Sequence, residues 1–133
     1  MLYDIQHIGL NLSADKAFQY IAEAKNLPAW TNAFATVSDD GKAVLMTPQG
    51  KVEIGLKVIS DAQSGTVDWL MTFPDGSEGI ANSRITPLPD NNSVYCFVLT
   101  PPPAPLEQLE GALKQQSAIL ASELKELKKI LEK

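Results

Sequence analysis

The chain holds a single histidine, His7, and a single cysteine, Cys96. His7 is the only side chain whose unperturbed pKa lies near neutrality, which makes it the natural candidate for a general base. That role needs a nucleophile or an orienting acid, and no serine or cysteine motif is recognisable beside it. On a strand His7 alternates away from Ile8 and Leu10, so an exposed or structural position is expected. Cys96 lies between Tyr95 and Phe97 and reads as an inert strand thiol. One imidazole and one thiol do not make a metal site, and one cysteine closes no internal disulfide. Glu53 and Glu78 would act as acids if buried, but alternation puts Glu53 outward and Glu78 at a turn. Asn82 falls on the outer face in the same register. Lys57, Asp68 and Arg84 form the clearest polar group. They read either as an anion clamp oriented by Asp68 or as a cross-strand ion-pair row on a wet face. The ion-pair row is the expectation. Gly50 and Gly55 have P-loop spacing, yet Leu56-Lys57 follows where Lys-Ser/Thr is required. No catalytic residue, metal site or cofactor is assigned.

Bulk properties narrow the function classes. A formal charge of −5, with no Lys/Arg stripe, repels phosphate backbones and argues against nucleic acid as a partner. The 44% apolar share suits a globular chain, and 133 residues fit one domain spanning 1–133. No apolar run approaches the roughly 20 residues that cross a bilayer, so no integral membrane segment is expected. Met1-Leu2-Tyr3-Asp4-Ile5 lacks the features of a signal peptide, and a cytoplasmic location follows as an expectation. Without such a signal the sequons at Asn11 and Asn91 carry no meaning.

The elements that position these residues follow from periodicity. Residues 2–12 read as a first strand with Ile8, Leu10 and Leu12 on one face. Ser13 is a natural N-cap for a helix over 14–24 whose stripe is Ala17, Phe18, Ile21 and Ala22. Pro28 breaks that helix and opens a short turn carrying Trp30 and Phe34. From residue 35 to 100, turn signals at Asp40-Gly41, Pro48-Gln49-Gly50, Ser64-Gly65, Asp75-Gly76 and Asp90-Asn91-Asn92 separate six strands of an antiparallel meander. A two-residue turn at Asp40-Gly41 pairs Val37 with Val44 and Ala35 with Met46. Carried onward, Met46 meets Val52, Val44 meets Ile54, Leu56 and Ile54 meet Trp69 and Met71, and then Met71 meets Ala81 and Trp69 meets Ser83. One face stays apolar or small throughout, as a half-buried sheet requires. The other gathers Lys57, Asp68 and Arg84.

Pro101-Pro102-Pro103 ends the last strand. A helix of about 28 residues follows Pro105, roughly 42 Å long. Its stripe is Leu106, Leu109, Leu113, Leu120, Leu124, Leu127 and Leu131. Glu107 and Glu110 near its start, and Lys125, Lys128, Lys129 and Lys133 near its end, complement the helix dipole. Gly111 costs about 1 kcal/mol against alanine and points to close packing or a loosened first turn. A sheet must be covered, so intramolecular packing of the stripe is expected over a coiled-coil dimer. The Lys/Glu-rich final turns are left free to project.

The entry Leu10-Asn11-Leu12-Ser13-Ala14-Asp15-Lys16-Ala17-Phe18 is followed in order by Asn26-Leu27-Pro28-Ala29-Trp30, Gly65-Thr66-Val67-Asp68-Trp69, Asp75-Gly76, Ser83-Arg84-Ile85 and the tail from Glu123 to Glu132. Nearly the whole chain thereby resembles the START-like helix-grip (SRPBCC) superfamily, in its polyketide cyclase/dehydratase-like branch. The resemblance implies an α+β helix-grip fold. Its curved antiparallel sheet of about seven strands, in the order β-α-α-β6-α, wraps a long C-terminal helix over a cavity. Members bind lipids, hormones, polyketides or quinones, some catalyse cyclisation or dehydration, and others act through protein partners. On this basis the expected partner is a small hydrophobic molecule, with a protein partner as another reading. The expected wall comprises Trp30, Met46, Ile54, Leu56, Trp69, Met71 and Phe97, with small Gly79, Ala81 and Ser83 leaving room and Leu113 facing them from the helix. Gly111 and the loops near Pro48 and Asp75 would gate entry. An enzymatic alternative would have to draw on His7, Glu53, Asn82 and Arg84.

Overall fold

The computed structural model describes residues 3–47, 50–99 and 106–132, without the side chains of Thr47 and 106–113. The order is β1 (Asp4–Leu10), α1 (Ala14–Ile21), α2 (Leu27–Trp30), β2 (Phe34–Val37), β3 (Lys42–Thr47), β4 (Gly50–Asp61), β5 (Thr66–Thr72), β6 (Glu78–Leu88), β7 (Asn92–Leu99) and α3 (Leu106–Leu131). All seven strands form one antiparallel open sheet ordered β1-β7-β6-β5-β4-β3-β2. Consecutive β1 and β2 therefore occupy opposite edges, and α1 and α2 carry the chain between them.

Local chemistry sets the helix ends. The Ser13 hydroxyl accepts from the Lys16 N–H at 3.3 Å and caps α1. That helix stops at Ile21 rather than Ala24, because the Glu23 carboxylate accepts from the Lys25 N–H and starts a separate 3₁₀ turn over Ala24–Asn26. Pro28 sits in the first turn of α2, where its missing N–H costs nothing. The Thr31 hydroxyl donates to the Leu27 carbonyl at 2.7 Å and accepts from the Phe34 N–H at 3.4 Å, ending α2 and launching β2.

The register departs from expectation at the first hairpin. Ser38 N–H donates to the Lys42 carbonyl at 2.8 Å and Val37 pairs with Ala43, so the loop holds Asp39, Asp40 and Gly41. Gly41, at φ +80°, supplies the left-handed residue on which such three-residue loops end. The pairs expected of Val37 with Val44, Ala35 with Met46, Met46 with Val52 and Val44 with Ile54 are corrected. Leu45 meets Val52 and Ala43 meets Ile54. This one-residue slip turns Ala43 and Leu45 inward and Met46 outward. Ala43 is 2% exposed and Met46 48%. Beyond it the shifts are of two residues, which keep the faces. Leu56 pairs with Met71, Trp69 with Ala81, and Met71 with Gly79.

Helix α3 packs within the chain, against β1, β7 and α2. Leu120, Leu124 and Leu127 are buried with Leu10, Ile21, Trp30, Val67, Ile85 and Tyr95. The final turns do not project. Lys128 Nζ donates to the Gly9 carbonyl at 2.8 Å, and the Glu132 carboxylate accepts from Asn11 N and Nδ2, each at 3.1 Å. Lys128 and Glu132 also pair with each other. The expectations for Pro101-Pro102-Pro103, for the packing at Gly111 and for the Leu106, Leu109 and Leu113 side chains lie outside the described residues.

Gly65 and Gly76 both have positive φ, +77° and +86°. A Cβ at Gly65 would stand 2.1 Å from the Ile85 carbonyl oxygen, whereas one at Gly76 meets nothing within 4 Å. Gly76→Ala should therefore cost about 1–2 kcal/mol, the left-handed penalty alone. Gly65→Ala should cost roughly 3 kcal/mol or more, with urea unfolding as the measurement. Equal losses would show that the Ile85 carbonyl simply moves aside.

Candidate ligand pocket

Alternation along β5 points Trp69 and Met71 to the concave face, and on β6 the residues opposite them are Ala81 and Gly79. Large side chains thus face almost none, and no described side chain refills the space. The result is a cavity of about 570 Å³ between the sheet, α2 and α3. Phe97 closes its floor from β7, Leu27 and Trp30 wall it from α2, and Phe34 and Leu45 from β2 and β3. Aromatic contacts hold the walls in place. Trp69 stacks on Phe97 at 5.9 Å, and Tyr95 meets Trp30 and Phe97 edge-on at 6.4 and 6.5 Å. Met46, Ile80 and Ile119 line it too and are 40–48% exposed, which marks the mouth.

A polar side faces this apolar floor. It is formed by Thr31 and Asn32 after α2, Ser77 and Glu78 at the start of β6, and Gln115, Gln116 and Glu123 of α3. The half-buried Glu123 carboxylate accepts from the Asn32 N–H at 2.6 Å and also from the Ala33 N–H. Burial raises its pKa above the ordinary 4.5, and the two N–H bonds offset part of the rise. The indole N–H groups of Trp30 and Trp69 are buried without an acceptor among the described residues. Burial also pushes the Tyr95 phenol up, with the Ser83 hydroxyl as its polar neighbour.

No family model matches the sequence, and no curated protein matches it. Solved structures do. The Zhui aromatase/cyclase from Streptomyces sp. R1128 is similar over 98% of this chain and 93% of its own, at 9% identity and a TM-score of 0.70. A START superfamily protein from Mycobacterium smegmatis matches over 98% and 97%, at 12% identity and 0.64. The di-domain aromatase/cyclase BexL of the BE-7585A biosynthetic pathway matches 99% of this chain but 47% of its own, at 16% identity and 0.73. The fold is the START-like helix grip.

Within this helix grip, Trp30, Met46, Trp69, Met71, Ala81 and Phe97 all reach the cavity, although Met46 does so only at the rim. Ile54, Leu56 and Ser83 do not. Ile54 and Leu56, 2% and 8% exposed, belong to the closed core beneath β4. Ser83 lies one inward position beyond Ala81, where its hydroxyl is spent on the Val67 carbonyl at 2.5 Å. The Leu113 side chain lies outside the described residues, as does the Pro48 loop, whereas the turn after Asp75 brings Ser77 and Glu78 to the mouth.

His7 is exposed on β1 opposite Cys96, and Glu53 is exposed 3.7 Å from Lys42. The ion-pair row is not formed. Lys57 pairs across with Leu70, Asp68 with Ile59 and Arg84 with Thr66, because the strands shift by two residues. Arg84 Nε donates instead to the Ser64 carbonyl at 3.0 Å, and Asp68 accepts from the Ser83 N–H. Among the described residues, no helix is long and apolar enough to cross a membrane.

The sequence reading missed Glu123 as a pocket residue; the one signal for it is its place on the helical wheel, three after Leu120 and four before Leu127. Its raised folded-state pKa has a definite sign. The group favours the fold fully below pH 4.5, and that contribution is lost as pH rises through the raised value. Relative to the wild type, Glu123→Gln should therefore gain stability with increasing pH, seen in thermal midpoints between about pH 4 and 7. Parallel curves would mean that the two N–H bonds fully balance the burial.

Proposed function

We propose that the chain binds a small hydrophobic molecule in the cavity between the sheet, α2 and α3, as a carrier, sensor or sequestering protein. The observation that carries this reading is the space opposite Trp69 and Met71, which no described side chain fills and where β6 offers only Ala81 and Gly79. At about 570 Å³ it falls within the range of roughly 300–1,000 Å³ typical of small-molecule sites. Its lining of tryptophan, phenylalanine, leucine and methionine suits an apolar, adaptable contact. The START superfamily and aromatase/cyclase structures of the same fold support a cavity in use. Residues 1–133 acting as one domain, in the cytoplasm, belong to the same proposal.

The aromatase/cyclase neighbours favour one second reading, an enzyme acting on a bound polyketide-like molecule. His7 and Arg84 face away from the cavity, so such an enzyme would have to work with Glu78 and Glu123.

Nile red, a neutral apolar dye that brightens out of water, tests the pocket. It should bind the wild type, and Ala81→Leu should weaken it at least about tenfold by filling the space beside Trp69. The variant's thermal midpoint should stay within a few degrees, since the added bulk enters a void. Unchanged affinity in the folded variant would remove the proposed wall. Native mass spectrometry of the purified protein should also show a small mass released on denaturation.

A further inference from the structure

We propose that the pocket selects its ligand by charge, with Glu123 as the discriminating residue: it admits neutral and cationic apolar molecules and excludes anionic ones. This deepens the reading of the cavity above and rests on it.

The cavity lining contains two carboxylates, Glu78 and Glu123, and no lysine, arginine or histidine among the described residues. Glu78 stands on the exposed rim, whereas Glu123 is half-buried against the α2–β2 connection. Nothing cationic neighbours Glu123 on its own helix face. The residues three and four away are Ile119, Leu120, Glu126 and Leu127. From the facing segment come Thr31, Asn32 and Ala33, all neutral. Lys128, just over one turn further on, is held by the Gly9 carbonyl and Glu132.

The same geometry removes the donors that an anion would use. The Asn32 and Ala33 N–H groups both point to Glu123. An entering carboxylate or sulfonate would find its natural donors taken and a like charge in their place. In a partly dry cavity that repulsion is screened far less than in water. A carboxylate has about four lone-pair sites, and two N–H bonds leave capacity for a donor on the ligand. The complementary molecule has an apolar body that lies on Trp69, Met71 and Phe97. At its other end it carries a hydroxyl, an amide N–H or an ammonium group, aimed at Glu123.

Three probes with one body separate charge from shape: naphthalenemethanol, naphthalenemethylamine (an ammonium at neutral pH) and naphthoate, each displacing Nile red from the full chain. The alcohol and the amine should displace the dye at concentrations at least about tenfold lower than the naphthoate. Glu123→Gln, whose amide oxygen still accepts from the Asn32 N–H, should close most of that gap, by strengthening naphthoate and leaving the alcohol within about threefold. Naphthoate matching the alcohol in the wild type, or a gap unchanged in Glu123→Gln, overturns the selection and leaves the pocket standing. Failure of all three probes and of Nile red overturns the pocket and the selection together. Should the variant fail to fold, the wild-type order of the three probes decides alone.

Discussion

An open antiparallel sheet with one apolar face must be covered along its whole concave side, and a single helix is too narrow to do this. Here α3 lays Leu120, Leu124 and Leu127 against β1, β7 and α2, while α1 covers part of β6 and β7. Among the described residues, the concave side near Met71 and Gly79 receives no such cover. Close packing would normally demand that large side chains fill it. The chain instead places Gly79 and Ala81 there, so the incomplete cover becomes a cavity. The clasp of Lys128 and Glu132 onto Gly9 and Asn11 then fixes one end of α3 while its polar flank borders the opening.

Much of this architecture was legible in the sequence, because period-two alternation and turn residues are local signals. Ser13, Pro28, the six strands after residue 35 and the long final helix follow from them directly. The cavity residues on β5, β6 and β7 were legible for a specific reason. Errors of two residues in register leave Trp69, Met71, Ala81 and Phe97 on the correct face. The first hairpin shows the opposite case. One added loop residue, made possible by Gly41, reversed β3 and exchanged Met46 for Leu45. Nothing in the local pattern separates a two-residue loop ending in glycine from a three-residue one.

Depth was harder to read than face. Ile54, Leu56 and Ser83 point inward as expected, yet they meet other core atoms rather than the cavity. Alternation says which side a residue takes and nothing about what lies across from it. The dispersal of Lys57, Asp68 and Arg84 has the same origin, since a shift of two residues preserves the side and changes the neighbour. Glu123 was missed for a different reason. A carboxylate flanking a leucine stripe is ordinarily solvated, and only the return of the chain through Asn32 encloses it.

Both tryptophans of the chain, Trp30 and Trp69, stand in the cavity wall, one edge-on to Tyr95 and the other stacked on Phe97. Indole emission therefore arises entirely from this one region. The protein carries its own optical label, placed where occupancy would be felt.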